Sequence, residues 1–150
     1  MKKHFIVLLI GIAIANSIVA QSSTPTETQR KEISFLIDQY SLARETSDTN
    51  LLKKILTTDI DQLVSNGEWR MGMDAAVAGM LKSSATSPGK RILAVDKIKM
   101  LGNSVAVADC RYEIANSDSS IRKMWSSFIV VSNKSEWKIS AIRNMLPAAN

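Results

Sequence analysis

Over residues 90–146 apolar side chains recur at every second position, and the run is broken by Gly102-Asn103, Asn116-Ser117-Asp118 and Ser132-Asn133-Lys134-Ser135. Period two with turn-forming interruptions predicts four antiparallel strands. In the first, Leu93 and Val95 share one parity while Ile98 and Met100 share the other. The buried side therefore switches near Asp96-Lys97, which predicts a β-bulge or sharp bend there. The second strand puts Ala106, Ala108, Cys110, Tyr112 and Ile114 on one face and Asp109, Arg111 and Glu113 on the other, together with Val105 and Val107. The third carries Trp125, Phe128, Ile129, Val130 and Val131, apolar on both parities near its end, as expected of a central or doubly covered strand. The fourth alternates Trp137, Ile139 and Ala141 with Lys138 and Ser140, then ends in Arg143-Asn144-Met145.

Helical periodicity lies upstream. Ile33, Leu36, Ile37, Tyr40 and Ala43 form one apolar stripe, which predicts a helix over 29–46. Ser47 or Asp48 can cap a second short helix that buries Leu51, Leu52, Ile55 and Leu56. The period then changes at 60–64, and Asn66-Gly67 marks a hairpin with a short return strand over 68–70. A third helix is predicted over 73–82, with Asp74 in its first turn and Met73, Val77, Met80 and Leu81 facing inward. Residues 83–89 (SSATSPG) read as a loop by composition. The fold class that follows is α+β, with three N-terminal helices on the concave face of a strongly curved, mostly antiparallel sheet.

The N-terminus has the pattern of a secretory signal: Lys2-Lys3-His4, an apolar run from Phe5 to Ala15, and a small residue closing Ile18-Val19-Ala20. Cleavage is expected after Ala20; Ala13-Ile14-Ala15 fits the small-x-small rule better but would cut into the apolar run. A retained anchor is the alternative, but Asn16-Ser17 interrupts the run short of the ~20 apolar residues a span needs. The expected organisation is a signal peptide over 1–20, a flexible polar leader over 21–29 and one domain over 30–147. The product is expected to be periplasmic or secreted, with no membrane attachment after cleavage.

Cleavage alters the available chemistry. It removes two of the 19 basic residues and none of the 14 acidic ones, leaving 17 against 14, a net +3 instead of +5. It also removes His4, the only histidine, and leaves one cysteine, Cys110. Ser-His-Asp and Cys-His catalysis are thereby excluded, as is a Cys/His zinc site. An internal disulfide is impossible. No metal or cofactor is implied. The basic residues are scattered without interleaved aromatics, so they read as solvated faces and not as a nucleic-acid surface.

Four segments carry a family resemblance. Residues 36–40 (LIDQY) through 47–52 (SDTNLL), 59–67 (DIDQLVSNG), 72–76 (GMDAA) and 137–144 (WKISAIRN) resemble, in order and spacing, the nuclear transport factor 2-like superfamily, in particular its SnoaL-like and SgcJ/EcaC-type members. The resemblance spans about 32–147. It implies a cone-shaped, cystatin-like roll, a hydrophobic pocket at its mouth, and a homodimer formed through the outer sheet face.

The superfamily's ketosteroid isomerases need a carboxylate base and an oxyanion hole of a Tyr with a protonated Asp. Tyr40 is placed like the family tyrosine. However, 63–66 (LVSN) and 124–128 (MWSSF) hold no carboxylate where the base and the acid would lie. That mechanism is set aside. The expected pocket residues are Tyr40, Trp69, Cys110, Tyr112, Trp125 and Asn144, with the tryptophans stacking on a flat ligand. Four of them have a structural reading beside the functional one: a tied core tyrosine at 40, a buried inert thiol at 110, and core aromatics at 69 and 125. The functional expectation is a small apolar or aromatic ligand bound without catalysis. The alternatives are an enzyme pairing Tyr40 with Asp59 or Asp61, and a dimeric interaction module.

Overall fold

Thr26 opens the first helix. Its hydroxyl accepts from the Gln29 amide at 3.2 Å, and the Gln29 side chain accepts from the Thr26 amide at 2.9 Å. This reciprocal cap satisfies two amides that a helix start leaves unpaired. The helix therefore begins inside the stretch expected to be leader. The computed structural model describes residues 24–116, 118–134 and 136–148. The predicted signal segment lies outside the described residues.

The elements are α1 (Glu27–Glu45), α2 (Thr49–Ile55), β1 (Leu56–Leu63), β2 (Trp69–Met71), α3 (Met73–Thr86), β3 (Lys90–Met100), β4 (Val105–Ala115), β5 (Ile121–Asn133) and β6 (Glu136–Met145). Asp48 caps α2, its carboxylate accepting from the Leu51 amide at 2.9 Å. Between β1 and β2, Gly67 takes φ +88° and Asn66 Oδ1 accepts from the Glu68 amide. That positive φ is why Asn-Gly suits the turn.

The sheet runs β2-β1-β6-β5-β4-β3. All neighbours are antiparallel except β1 and β6, which are parallel. The last strand of the chain thus enters the middle of the sheet. Register shifts between Val95 and Lys97, between Ile129 and Val130, and between Leu56 and Asp61 let the long strands curl. The first lies where the parity of β3 switches. Helix α1 packs against β3 and β6, and α3 against β1 and β2, on the concave side.

One expectation is corrected. The third helix continues through Ser83-Ser84-Ala85-Thr86, a stretch expected to be loop. Ser83 Oγ donates to the Gly79 carbonyl and Thr86 Oγ1 to the Lys82 carbonyl. These hydroxyls bond back onto the helix that their composition argued against.

The closed end of the cone is filled by Ile33, Ile37, Tyr40, Leu52, Val77, Met80, Phe128, Val130, Ile139 and Ile142. Burying each of the large apolar side chains contributes about 1.5–3 kcal/mol. Tyr112, Ile114 and Met124 form a second, smaller cluster. Both clusters draw on β4: Ala106, Ala108 and Cys110 belong to the first, Tyr112 and Ile114 to the second. The wall past Cys110 is therefore apolar, yet separate from the main core.

Candidate functional site

At that end of the cone lies a cavity of about 320 Å³, bounded by α1, α3, the β1–β2 hairpin and the ends of β3 to β6. Three arginines reach it from three elements: Arg44 from α1, Arg70 from β2 and Arg91 from β3. They are 4%, 8% and 6% exposed, and among the described residues they are the only charged side chains that the fold buries. The rim adds Arg122 and Lys82, against a single carboxylate in the lining, Glu68.

Local structure explains each placement. Arg44 sits one turn beyond Tyr40 on the buried stripe of α1; its Nη1 donates to the Tyr40 hydroxyl at 2.8 Å and its Nε to Ser84 Oγ at 3.0 Å. Arg70 faces Gln62 across the hairpin. It donates to Gln62 Oε1 at 3.3 Å, to Glu68 Oε1 at 2.7 Å and to Ser83 Oγ at 3.1 Å. Arg91 donates to the Gly89 carbonyl and to the Ser83 and Ser87 carbonyls at the end of α3. Its Nε is buried without a well-formed hydrogen bond among the described residues. The last turn of α3 is thus a shared anchor: Ser83 meets Arg70 and Arg91, and Ser84 meets Arg44.

The opposite wall is Tyr112, Ile114 and Met124, with Asn144 beside them. Ser126 Oγ donates to Asn144 Oδ1 at 2.6 Å and so orients the amide. Burial pushes the Tyr112 phenol up, while Arg44 and Arg91 pull it back. Arg70, through a hydrogen bond and its charge, holds the Glu68 carboxyl below its usual range. A carboxylate held ionised in this way is a poor proton acceptor.

The structure brings only two of the six expected pocket residues to the cavity, Tyr112 and Asn144. Tyr40 stands behind Arg44, buried and edge-on to Phe128 at 5.3 Å between ring centres. Cys110 is fully buried in the main core. Burial, and then the Asp109 charge, push its thiol up to about 12. Trp69 and Trp125 lie on the convex face, 53% and 43% exposed. Parity is the reason: Gln62 and Arg70 take the concave side of the hairpin, and Met124, Ser126 and Phe128 take that of β5. Trp69 instead carries the Arg143 guanidinium 4.9 Å over its ring, and Trp125 pairs across the sheet with Arg111 and Met145.

Asp59 is exposed and Asp61 is paired with Arg143 on the convex face. The sheet stands between them and Tyr40, so the pairing required by the enzyme alternative is not assembled. The expected apolar lining is corrected as well. The cavity has one apolar wall, and its other walls are polar and cationic. Arg44, Arg70 and Arg91 stand far apart in the chain, and only the topology gathers them. One signal was present, since Arg44 continues the buried stripe of α1 four residues past Tyr40.

No protein-family model matches the sequence, and no curated protein sequence does. Solved structures match over most of the chain. A protein of unknown function from Nostoc punctiforme superposes with a TM-score of 0.73 at 12% identity, covering 83% of this chain and 95% of its own. A nuclear transport factor 2-like protein of unknown function from Shewanella oneidensis gives 0.66 at 20% identity, covering 77% and 98%. An uncharacterized protein from Caulobacter vibrioides gives 0.69 at 16% identity, covering 79% and 89%. The first and third are described as having a cystatin-like fold. The chain has the nuclear transport factor 2-like fold. In this nuclear transport factor 2-like cone the helices close one end over the main core, and the arginine-lined cavity occupies the other.

Proposed function

We propose that the protein is a binding domain, which holds a small ligand in the cavity at the open end of the cone and carries out no chemistry on it. The supporting observation is the lining itself. It is rich in oriented donors, and its one carboxylate, Glu68, is tied to Arg70. Proton transfer needs a group poised to give and take a proton near the working pH. The cavity offers donors without such a group, an arrangement for holding a molecule in place. Export from the cytoplasm, inferred from the first twenty residues, would put that ligand in the periplasm or outside the cell.

A thermal-shift screen with neutral polar, apolar and charged compounds tests this, because binding only to the native state must raise stability. A saturable rise in melting temperature, with the compound recovered unchanged, is the expected result. No stabilisation by any compound, or conversion of a bound one, would overturn the proposal.

A second reading concerns the convex face, where Trp69, Met71, Trp125 and Met145 are all exposed on one sheet surface. They flank the Asp61–Arg143 ion pair on this face; Trp, Met and Arg are residue types that interfaces favour, and a homodimer through this face is proposed. Light scattering should find a dimer that Trp125→Glu turns into a monomer. A wild-type monomer at high concentration would count against it.

A further inference from the structure

We infer that the cavity takes a small organic anion, a carboxylate or a phosphate or sulfate monoester, whose oxyanion is held by Arg44 and Arg91. Its compact apolar body would lie against Tyr112, Ile114 and Met124. The inference rests on the binding reading above and names the class of ligand.

Charge balance is the first argument. Three guanidinium groups are at least nine-tenths buried around one cavity, and their protein partners are mostly neutral: the Tyr40 and serine hydroxyls, the Gln62 amide and backbone carbonyls. Among the described residues only Arg70 of the three has a carboxylate partner, and Glu68 is exposed. Removing a cation from water costs several kcal/mol unless an opposite charge compensates it. The carbonyls at the end of α3 supply about half a negative charge, well short of the remaining two full cations. An anion in the cavity supplies the rest.

Unused donors are the second argument. Arg44 uses Nε and Nη1 on Ser84 and Tyr40, which leaves Nη2 for another acceptor. Arg91 uses both terminal nitrogens on carbonyls, and its Nε is buried without a well-formed hydrogen bond among the described residues, the Tyr112 phenol being the polar group beside the guanidinium. A buried donor left unpaired costs about as much as a lost hydrogen bond. Arg44, Arg91 and Tyr112 line the same cavity, and both guanidinium charges act on the Tyr112 phenol. An oxyanion has two or more acceptor oxygens and can meet both. The apolar side of the same cavity favours an acid with a compact organic body over an inorganic ion.

The test compares charged and uncharged partners of one shape on the purified protein. Benzoate and phenyl phosphate are set against benzamide and benzyl alcohol, with inorganic phosphate alone as a further probe. Binding is read by calorimetry and by melting temperature, at low and at high salt. The inference expects one or both organic anions to bind saturably, the uncharged counterparts to bind at least tenfold more weakly, and affinity to fall with salt. Preference between carboxylate and phosphate monoester separates the two sources of oxyanion. Arg44→Gln and Arg91→Gln should each weaken binding about tenfold or more, the worth of one hydrogen bond to a charged group. Arg122→Gln, at the exposed rim, should weaken it less.

If uncharged compounds bind as tightly as the anions, or if affinity is indifferent to salt, the anion inference fails while the binding proposal stands. If inorganic phosphate alone binds as well as phenyl phosphate, the organic body is wrong. If no compound of any class binds, both fall. The wild-type comparisons decide the matter even where an arginine variant does not fold.

Discussion

The Arg70 guanidinium occupies the space that a side chain at position 79 would fill. A Cβ at Gly79 would stand 2.3 Å from Arg70 Nε and 2.6 Å from its Cζ. Glycine within a helix costs about 1 kcal/mol relative to alanine, so α3 carries a local disadvantage that lets Arg70 lie across it. This separates Arg70 from a solvated surface arginine.

A double-mutant cycle should expose the coupling. In the Arg70→Ala background, Gly79→Ala should stabilise the fold by about 1 kcal/mol on helix propensity alone. In the wild type the same change should give no such gain, because Arg70 must swing out and give up its bonds to Gln62 and Ser83. Urea unfolding of the four proteins measures the difference. Equal effects in both backgrounds would show that the contact has no energetic weight.

Tyr40 supports Arg44 in a similar way. Tyr40→Phe keeps the ring against Phe128 but removes the acceptor of a buried cationic donor. The expected loss is about 1.5–3 kcal/mol. Asp61→Asn, which breaks a half-exposed pair with Arg143, should cost less than about 1 kcal/mol. Chemical denaturation would rank the two, and the reverse order would contradict the assignment of Tyr40 as the support for Arg44.

Cys110 yields a prediction with a definite sign. The unfolded thiol ionises at about 8.5, and burial pushes the native one up to about 12. Between those values the native state keeps a proton that the unfolded state has released. The contribution of Cys110 is therefore complete below the lower value and is lost as pH rises toward the upper one. Wild type should lose stability between pH 9 and 11 more steeply than Cys110→Ala, by up to about 1.4 kcal/mol per pH unit. A thiol reagent at mildly alkaline pH should modify Cys110 only as fast as the protein opens. Rapid labelling of the native state would refute the burial.

Much of the fold was legible before any coordinates. Alternation from Leu93 to Met100 marked both a strand and its bend, because a change of buried parity cannot occur without an extra residue. Asn66-Gly67 marked its hairpin. The parallel pairing of β1 with β6 was not legible, since period two tells which side a residue faces and nothing about which strand lies alongside. Serine and threonine in the last turn of α3 read as loop, yet the Ser83 and Thr86 hydroxyls bond back onto the helix, and those of Ser83 and Ser84 hold Arg70 and Arg44.

The site was less legible for a related reason. Aromatic size drew attention to Trp69 and Trp125, but parity decides which side of a sheet lines a cavity. That criterion selects Arg70 and Met124 instead. The cationic character was hidden because single arginines at 44, 70 and 91 look like ordinary surface charges until the chain is folded.

The most direct measurement is an NMR titration that follows the arginine Nε–Hε signals while phenyl phosphate or benzoate is added. The account predicts that the Arg44 and Arg91 signals move together and saturate with the ring protons of Tyr112, while the indole signals of Trp69 and Trp125 stay in place. Shifts confined to the two tryptophans, with Arg44 and Arg91 unmoved, would contradict it.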